Sequence, residues 1–278
     1  MDTPLVEYSD PNFRYHHIIS TDPNTKFGST LSQAHTHYEI LFFIKGDVTY
    51  ILEDKSYKLM PYDIVLVKPN AYHYLQFNSN QEYERYLFSF TKKQAEYLCV
   101  NLLSDKEQAL IRCQNPKELN RELCKFDFYF NRVGPKSFSD VALPLLKTLF
   151  YYLNLTQLPL ENPQASNTYL SEIINYINNN LFAIKSLEEV CDYIHISYSY
   201  LVYLFKTSLH VTPKKYITEK RLLAAQNLLE LGRKPFHVWE ECGFTSYTVF
   251  FRNYVRFFGV APTDYKKNTS LLSVNIDG

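Results

Sequence analysis

The stretch that opens Ser197-Tyr198 and ends at Tyr216 returns 49 positions later as Ser246-Tyr247 to Tyr265. At that offset Phe205 falls on Tyr254, Val211 on Val260 and Pro213 on Pro262. A repeat this short is one supersecondary unit used twice. Its cues are helix starts and tight turns, which predicts two helix-turn-helix units.

Local physics supports each copy. Ser186 with Glu189 forms a capping box, and Leu187, Val190, Cys191 and Ile194 mark one face at helical spacing. Ser197 caps a second helix with Leu201, Leu204 and Phe205 inward. Thr212-Pro213 opens a third, with proline at the first helical position, running to a stop near Gly232 and joining the two units. In the second copy Val238, Trp239 and Cys242 precede the turn Gly243-Phe244. Ser246 then opens a helix with Val249, Phe250, Tyr254 and Phe257 inward, closed by Gly259 in a left-handed conformation.

The front half has another pattern. From Gln33 to Phe77 apolar and aromatic residues alternate, with turn signals at Lys45-Gly46-Asp47, Glu53-Asp54-Lys55 and Met60-Pro61-Tyr62-Asp63. Short antiparallel strands about ten residues apart predict a small barrel or sandwich. His35, His37 and Glu39 have one parity and are expected on one face of the first strand, with His73 after the Lys68-Pro69-Asn70 turn. Tyr83 to Phe90 reads as a last strand. Lys92 to Leu103, Pro116 to Asn131 and Val141 to Leu155 read as helices. Residues 158–168, with two prolines among small polar residues, predict a linker between a domain at 1–157 and one at 169–278.

From Ser186 to Lys266 the sequence resembles the DNA-binding domain of AraC/XylS-type bacterial transcription regulators. The resemblance rests on Ser197, Leu201, Phe205 and Lys206, on Lys220, Arg221, Leu222, Ala225, Leu228 and Leu229, and on Gly243, Phe244, Arg252, Gly259, Pro262 and Tyr265. His210 stands where the first copy usually has glycine, Trp239 where a small alanine is usual, and Pro235 and His237 replace isoleucine and glutamate. The run from His35 through Gly46 to Pro69 and His73 looks like the cupin-type ligand domain of the same family, with Tyr62 replacing the glycine of a Pro-Gly-Asp turn. The implied fold is α+β: a cupin-like antiparallel barrel with helices, then an all-α domain of two helix-turn-helix units on a long helix. The implied function is a DNA-binding transcription regulator answering to a small metabolite, a sugar by analogy. The helices between the two parts would dimerise the chain and couple its domains, and an activator would touch RNA polymerase.

Composition is consistent with this. Two cores are within reach of 278 residues that are 46% apolar. No apolar run approaches membrane-spanning length, and the start Met1-Asp2-Thr3-Pro4 lacks a signal peptide's basic region. Five cysteines without Cys-x-x-Cys spacing argue against a disulfide framework or zinc ribbon and suit a reducing cytoplasm. The net charge is zero, so any basic face must arise by placement.

On the family pattern the DNA-contacting residues are Ser199, Val202, Tyr203 and Lys206 in the first copy and Tyr247, Thr248, Arg252 and Arg256 in the second. Arg252 can grip a guanine edge, Lys206 and Arg256 suit phosphates, and Arg221 is expected to hold the long helix through an internal salt bridge. In the front half His35, Glu39, Tyr50 and His73 are the ligand-binding candidates, with Phe43 as further aromatic surface. Aligned on Glu39, metal-binding cupins have histidine where Gln33 stands, so no metal, cofactor or catalytic residue is expected. A metal-dependent cupin enzyme and a ligand-independent DNA-binding regulator are the alternatives.

Overall fold

The computed structural model describes residues 5–20, 32–103, 109–158 and 168–268. Among the described residues ten strands precede the helical part: β1 Val6–Ser9, β2 Phe13–Ser20, β3 Tyr38–Lys45, β4 Val48–Leu52, β5 Lys55–Lys58, β6 Asp63–Val67, β7 His73–Phe77, β8 Tyr83–Phe90, β9 Leu110–Cys113 and β10 Gln157–Leu158. They form two antiparallel sheets, ordered β1-β2-β8-β3-β6-β9-β10 and β5-β4-β7. An isolated bridge joins Gln33 to His73. The two antiparallel sheets pack face to face as the expected barrel or sandwich requires, and among the described residues they do not join into a closed ring.

The larger sheet is covered on both faces. Leu41, Phe43, Val65 and Leu87 meet Val48, Tyr50 and Leu75 of the smaller sheet in one core. Ile40, Phe42, Ile64 and Phe88 face the other way, into a core shared with α1 Lys92–Leu98, α2 Pro116–Val133 and α3 Phe138–Thr156. This explains why β3 is buried along nearly its whole length, where a half-exposed strand would alternate.

Four features depart from the sequence reading. The hairpin β1–β2 and the short strand β9 were not foreseen, and β8, expected last, is central, paired to both β2 and β3. Strand β3 begins only at Tyr38, so His35 and His37 precede it and the parity argument does not apply to them. The expected linker lies almost wholly at 159–167, outside the described residues.

The helical part comprises α4 Thr168–Asn180, α5 Leu187–Ile194, α6 Tyr198–Ser208, α7 Pro213–Glu230, α8 Pro235–Glu241 and α9 Tyr247–Phe258, then a 3-10 segment Pro262–Asn268. The caps read from sequence form at three of four helices. Ser197 accepts from the Tyr200 N–H at 3.2 Å, Thr212 from Lys215 at 3.2 Å and Ser246 from Val249 at 3.3 Å. The expected box at α5 does not form: Ser186 makes no cap bond, and the Glu189 carboxylate accepts from the Lys185 N–H instead. Helix α7 is shared. Its Tyr216 and Ile217 enter the core of the first unit, while Leu222, Ala225 and Leu229 enter that of the second with Val238, Phe250 and Tyr254.

The two parts of the chain touch directly. Tyr72, next to β7, is fully buried and belongs to the core of the first helix-turn-helix unit.

Candidate nucleic-acid interface and effector pocket

Helices α6 and α9 present the side chains singled out by the repeat. On α6, Ser199, Tyr203 and Lys206 are exposed and Val202 is half-buried, whereas Leu201, Leu204 and Phe205 are buried. On α9, Thr248, Arg252 and Arg256 are exposed above the buried Phe250 and Tyr254. Tyr247 is half-buried, with its ring near those of Phe236, Phe250 and Phe251.

A cleft of about 730 Å³ separates the two units, and Lys185, Lys214, Arg252 and Arg256 line it. Lys185 and Lys214 were missed in the sequence. The available signal was their position beside helix starts. Arg221 lies in the wall of the same cleft, but its donors point inward to the carbonyls of Leu181 at 2.8 Å, Gly243 at 2.7 Å and Ile184 at 2.6 Å. The expected internal role is therefore met through backbone carbonyls, in place of a salt bridge.

The second constellation lies at one end of the sandwich. His35 Nε2 is 3.5 Å from one Glu39 carboxylate oxygen, and His73 Nε2 is 3.7 Å from the other. His35 gains its place from the bend before β3, where the Asn70 N–H donates to its carbonyl. Both imidazoles direct Nδ1 at a backbone carbonyl, His35 at His37 and His73 at Ala71, which leaves both Nε2 atoms facing the carboxylate. Tyr50 completes the group, its ring parallel to that of His73 with centroids 6.1 Å apart. All four ligand candidates thus come together. His37 stacks on His35 with centroids 3.7 Å apart and lines an outer cleft.

Burial alone would raise the Glu39 carboxyl, but His35, His73 and the Arg85 guanidinium outweigh it and keep the group ionised, below the usual carboxylate range. Burial pushes His73 down to about 4, so its ring is neutral near pH 7. Arg85, buried on β8, was also missed; a single cation in a strand that is mostly aromatic and apolar was the signal. His35 Nε2 and the hydroxyls of Tyr50 and Tyr57 are buried without a hydrogen-bond partner among the described residues. A bound hydroxylated molecule would supply such partners. A cation would find His35, His37 and Glu39 as donors, their ligand atoms all within 4.8 Å of one another, while the Gln33 amide lies 3.3 Å from His73 Nε2.

Comparison with known proteins separates the two halves cleanly. Residues 19–125 match the AraC-like ligand binding domain, and residues 190–268 match a helix-turn-helix domain. The chain is AraC-type in both halves. The probable transcriptional regulator LumQ of Photobacterium leiognathi is 34% identical over 95 residues, covering 34% of this chain and 38% of LumQ. The regulator GbdR of Pseudomonas aeruginosa is 31% identical over 117 residues, covering 41% of this chain and 32% of GbdR. The chain thus spans about a third of the length of these first relatives. An uncharacterized regulator of Bacillus subtilis, YfiF, is 22% identical over 86% of this chain and 79% of its own. The AraC-type helix-turn-helix match takes in α6, α7, α8 and α9 whole. The AraC-like ligand-binding match takes in His35, Glu39, Tyr50 and His73. No described helix is long and apolar enough to cross a membrane.

Proposed function

We propose that this chain is a DNA-binding transcription regulator whose two helix-turn-helix units read successive major-groove faces, under control of a small hydroxylated effector of the sugar class. The observation that carries the DNA reading is the pairing of two outward helices, α6 and α9, on one helical scaffold with a basic cleft between them. Two recognition helices that enter the same side of a duplex contact sites about one helical turn apart, roughly 34 Å. Arg252 is the base reader; Lys206, Lys214 and Arg256 bind phosphates. For the effector, the ionised Glu39, the His35 Nε2 beside it and the partnerless Tyr50 hydroxyl offer acceptors and donors suited to hydroxyl groups. Dimerisation through α2 is supported by its exposed Phe128 and Val133.

Selection of duplexes by the full-length protein, followed by footprinting, tests the DNA reading: two protected patches within ~20 bp are expected, and protection of one patch or none would overturn it. Calorimetric titration of a sugar panel against wild type and His35→Ala, with metal content measured on the same samples, tests the pocket. Substrate turnover with a stoichiometric metal would favour an enzyme.

A further inference from the structure

Strand β7 carries two sets of contacts by simple alternation. His73 turns toward Glu39, and Leu75 into the core between the sheets. Tyr74, of the opposite parity, and Tyr72, the residue before the strand, turn toward the helical domain. The Tyr72 ring stacks on Tyr216 of α7 with centroids 4.7 Å apart, and its hydroxyl donates to Glu219. The Tyr74 hydroxyl donates to the carbonyl of Ser208, the last residue of α6, at 2.9 Å. Its ring lies 4.8 Å from that of His210, whose φ of 56° makes the turn after α6. That contact covers a residue which, lacking glycine's freedom, adopts the turn at a cost.

Glu53, at the tip between β4 and β5, ties the same elements together. Its carboxylate accepts from the Tyr216 hydroxyl at 2.6 Å, from Lys220 Nζ at 2.5 Å and from the Tyr72 N–H at 3.0 Å. One strand therefore holds a wall of the effector pocket on one face and the end of the first recognition helix on the other.

We propose that Glu53, Tyr72 and Tyr74 form an intramolecular latch that holds the first helix-turn-helix unit in its DNA-binding shape, and that occupancy of the pocket at His73 reaches DNA through it. This rests on the DNA-binding reading above. The latch supports the unit and does not mask it, because Ser199, Tyr203 and Lys206 stay exposed while it is closed. Latch and DNA then favour the same conformation, so opening the latch lowers DNA affinity. The loss falls on the first unit, because Tyr72 belongs to that core and not to the core of the second.

The test uses the full chain and a duplex that the wild type selects from random sequence. Glu53→Gln and Lys220→Met are expected to weaken binding by about fivefold or more and to lose protection on the half of the site read by α6, while the half read by α9 remains. His73→Ala should alter affinity in the wild-type background and leave it unchanged in the Glu53→Gln background, because the path from the pocket is already cut. Affinities of the two latch variants within about twofold of wild type, with both halves protected, would overturn the latch. A wild-type chain that selects no duplex would instead overturn the DNA-binding reading, and the latch with it. If Glu53→Gln fails to fold, Tyr74→Phe removes only the hydroxyl that meets Ser208. Faster amide exchange at Leu209 to Val211 in that variant, with weaker binding, supports the proposal; unchanged exchange and binding overturn it.

Discussion

The Arg221 guanidinium donates to the Gly243 carbonyl at 2.7 Å, so the long shared helix grips the turn of the second unit while its other nitrogens hold Leu181 and Ile184 of the first. This one side chain thus adds a polar link between the two units to the apolar one that α7 supplies. Arg221→Ala leaves three carbonyls without their donor and is expected to destabilise the helical domain by about 3 kcal/mol. Lysine cannot replace the planar fork, so Arg221→Lys should recover little. Thermal melts of the two variants check this, and a loss under ~1 kcal/mol for alanine would count against the bridging role.

Gly243 is fixed for two reasons. Its φ is +72°, and a Cβ there would lie 2.4 Å from the Phe182 carbonyl oxygen. Gly243→Ala should therefore cost roughly 2–4 kcal/mol from overpacking and the left-handed backbone together. Gly134 and Gly232 also have positive φ, +71° and +87°, but nothing lies within 4 Å of an added Cβ, so alanine at either should cost only the backbone part, about 1–2 kcal/mol. Comparable melting temperatures for all three variants would contradict this.

On the DNA face the exposed cations should separate by kind. Arg252→Ala is expected to cost ~1–3 kcal/mol on the selected site and to relax preference at one base pair. Lys206→Ala should weaken all sequences alike and lower the salt slope by about one. A uniform loss for Arg252→Ala across sequences would remove it from base reading.

Acid should loosen the sandwich. His73 is held at about 4 by burial, below its ordinary value of 6.5, so the unfolded chain takes up this proton first as pH falls. The stability is fully present above 6.5 and is lost between 6.5 and about 4; the sign follows because the unfolded state binds more protons in that window, and the size is about 3 kcal/mol. His16, lowered to about 3, and Glu39, held low, act in the same direction. Denaturant titrations at several pH values should show the loss for wild type and a flatter profile for His73→Gln.

The isolated segment 168–278 is expected to bind DNA, yet to melt earlier than the same domain in the full chain. It lacks Tyr72, which is fully buried against Tyr216, and loss of such a ring costs of order 3 kcal/mol. Equal stability of the fragment and the full-length domain would show that the first unit closes over the gap.

The helical half was legible because its signals are local. A serine or threonine before an apolar stripe can cap a helix through contacts within one turn, as Ser197, Thr212 and Ser246 do and Ser186 does not. The pocket was legible in its members and not in its construction: the bend that brings His35 to Glu39 depends on the Asn70 to His35 bond and the bridge from Gln33 to His73, both between distant segments. The hairpin β1–β2 escaped notice because the run from Phe13 to Ser20 mixes His16 and His17 with apolar residues, and only pairing with β8 decides its state. Nothing in the spacing of Tyr72 distinguishes it from any strand tyrosine, since its partners are Tyr216 and Glu219.

That pairing sets a rule for recombining such chains. A sensing half grafted onto a foreign reading half, or the reverse, brings Tyr72 and Glu53 without the acceptor and donors they require. A working hybrid must therefore inherit Tyr216, Glu219 and Lys220 along with the strand that meets them, which places the fusion point by contacts in space and not at the chain segment between the domains.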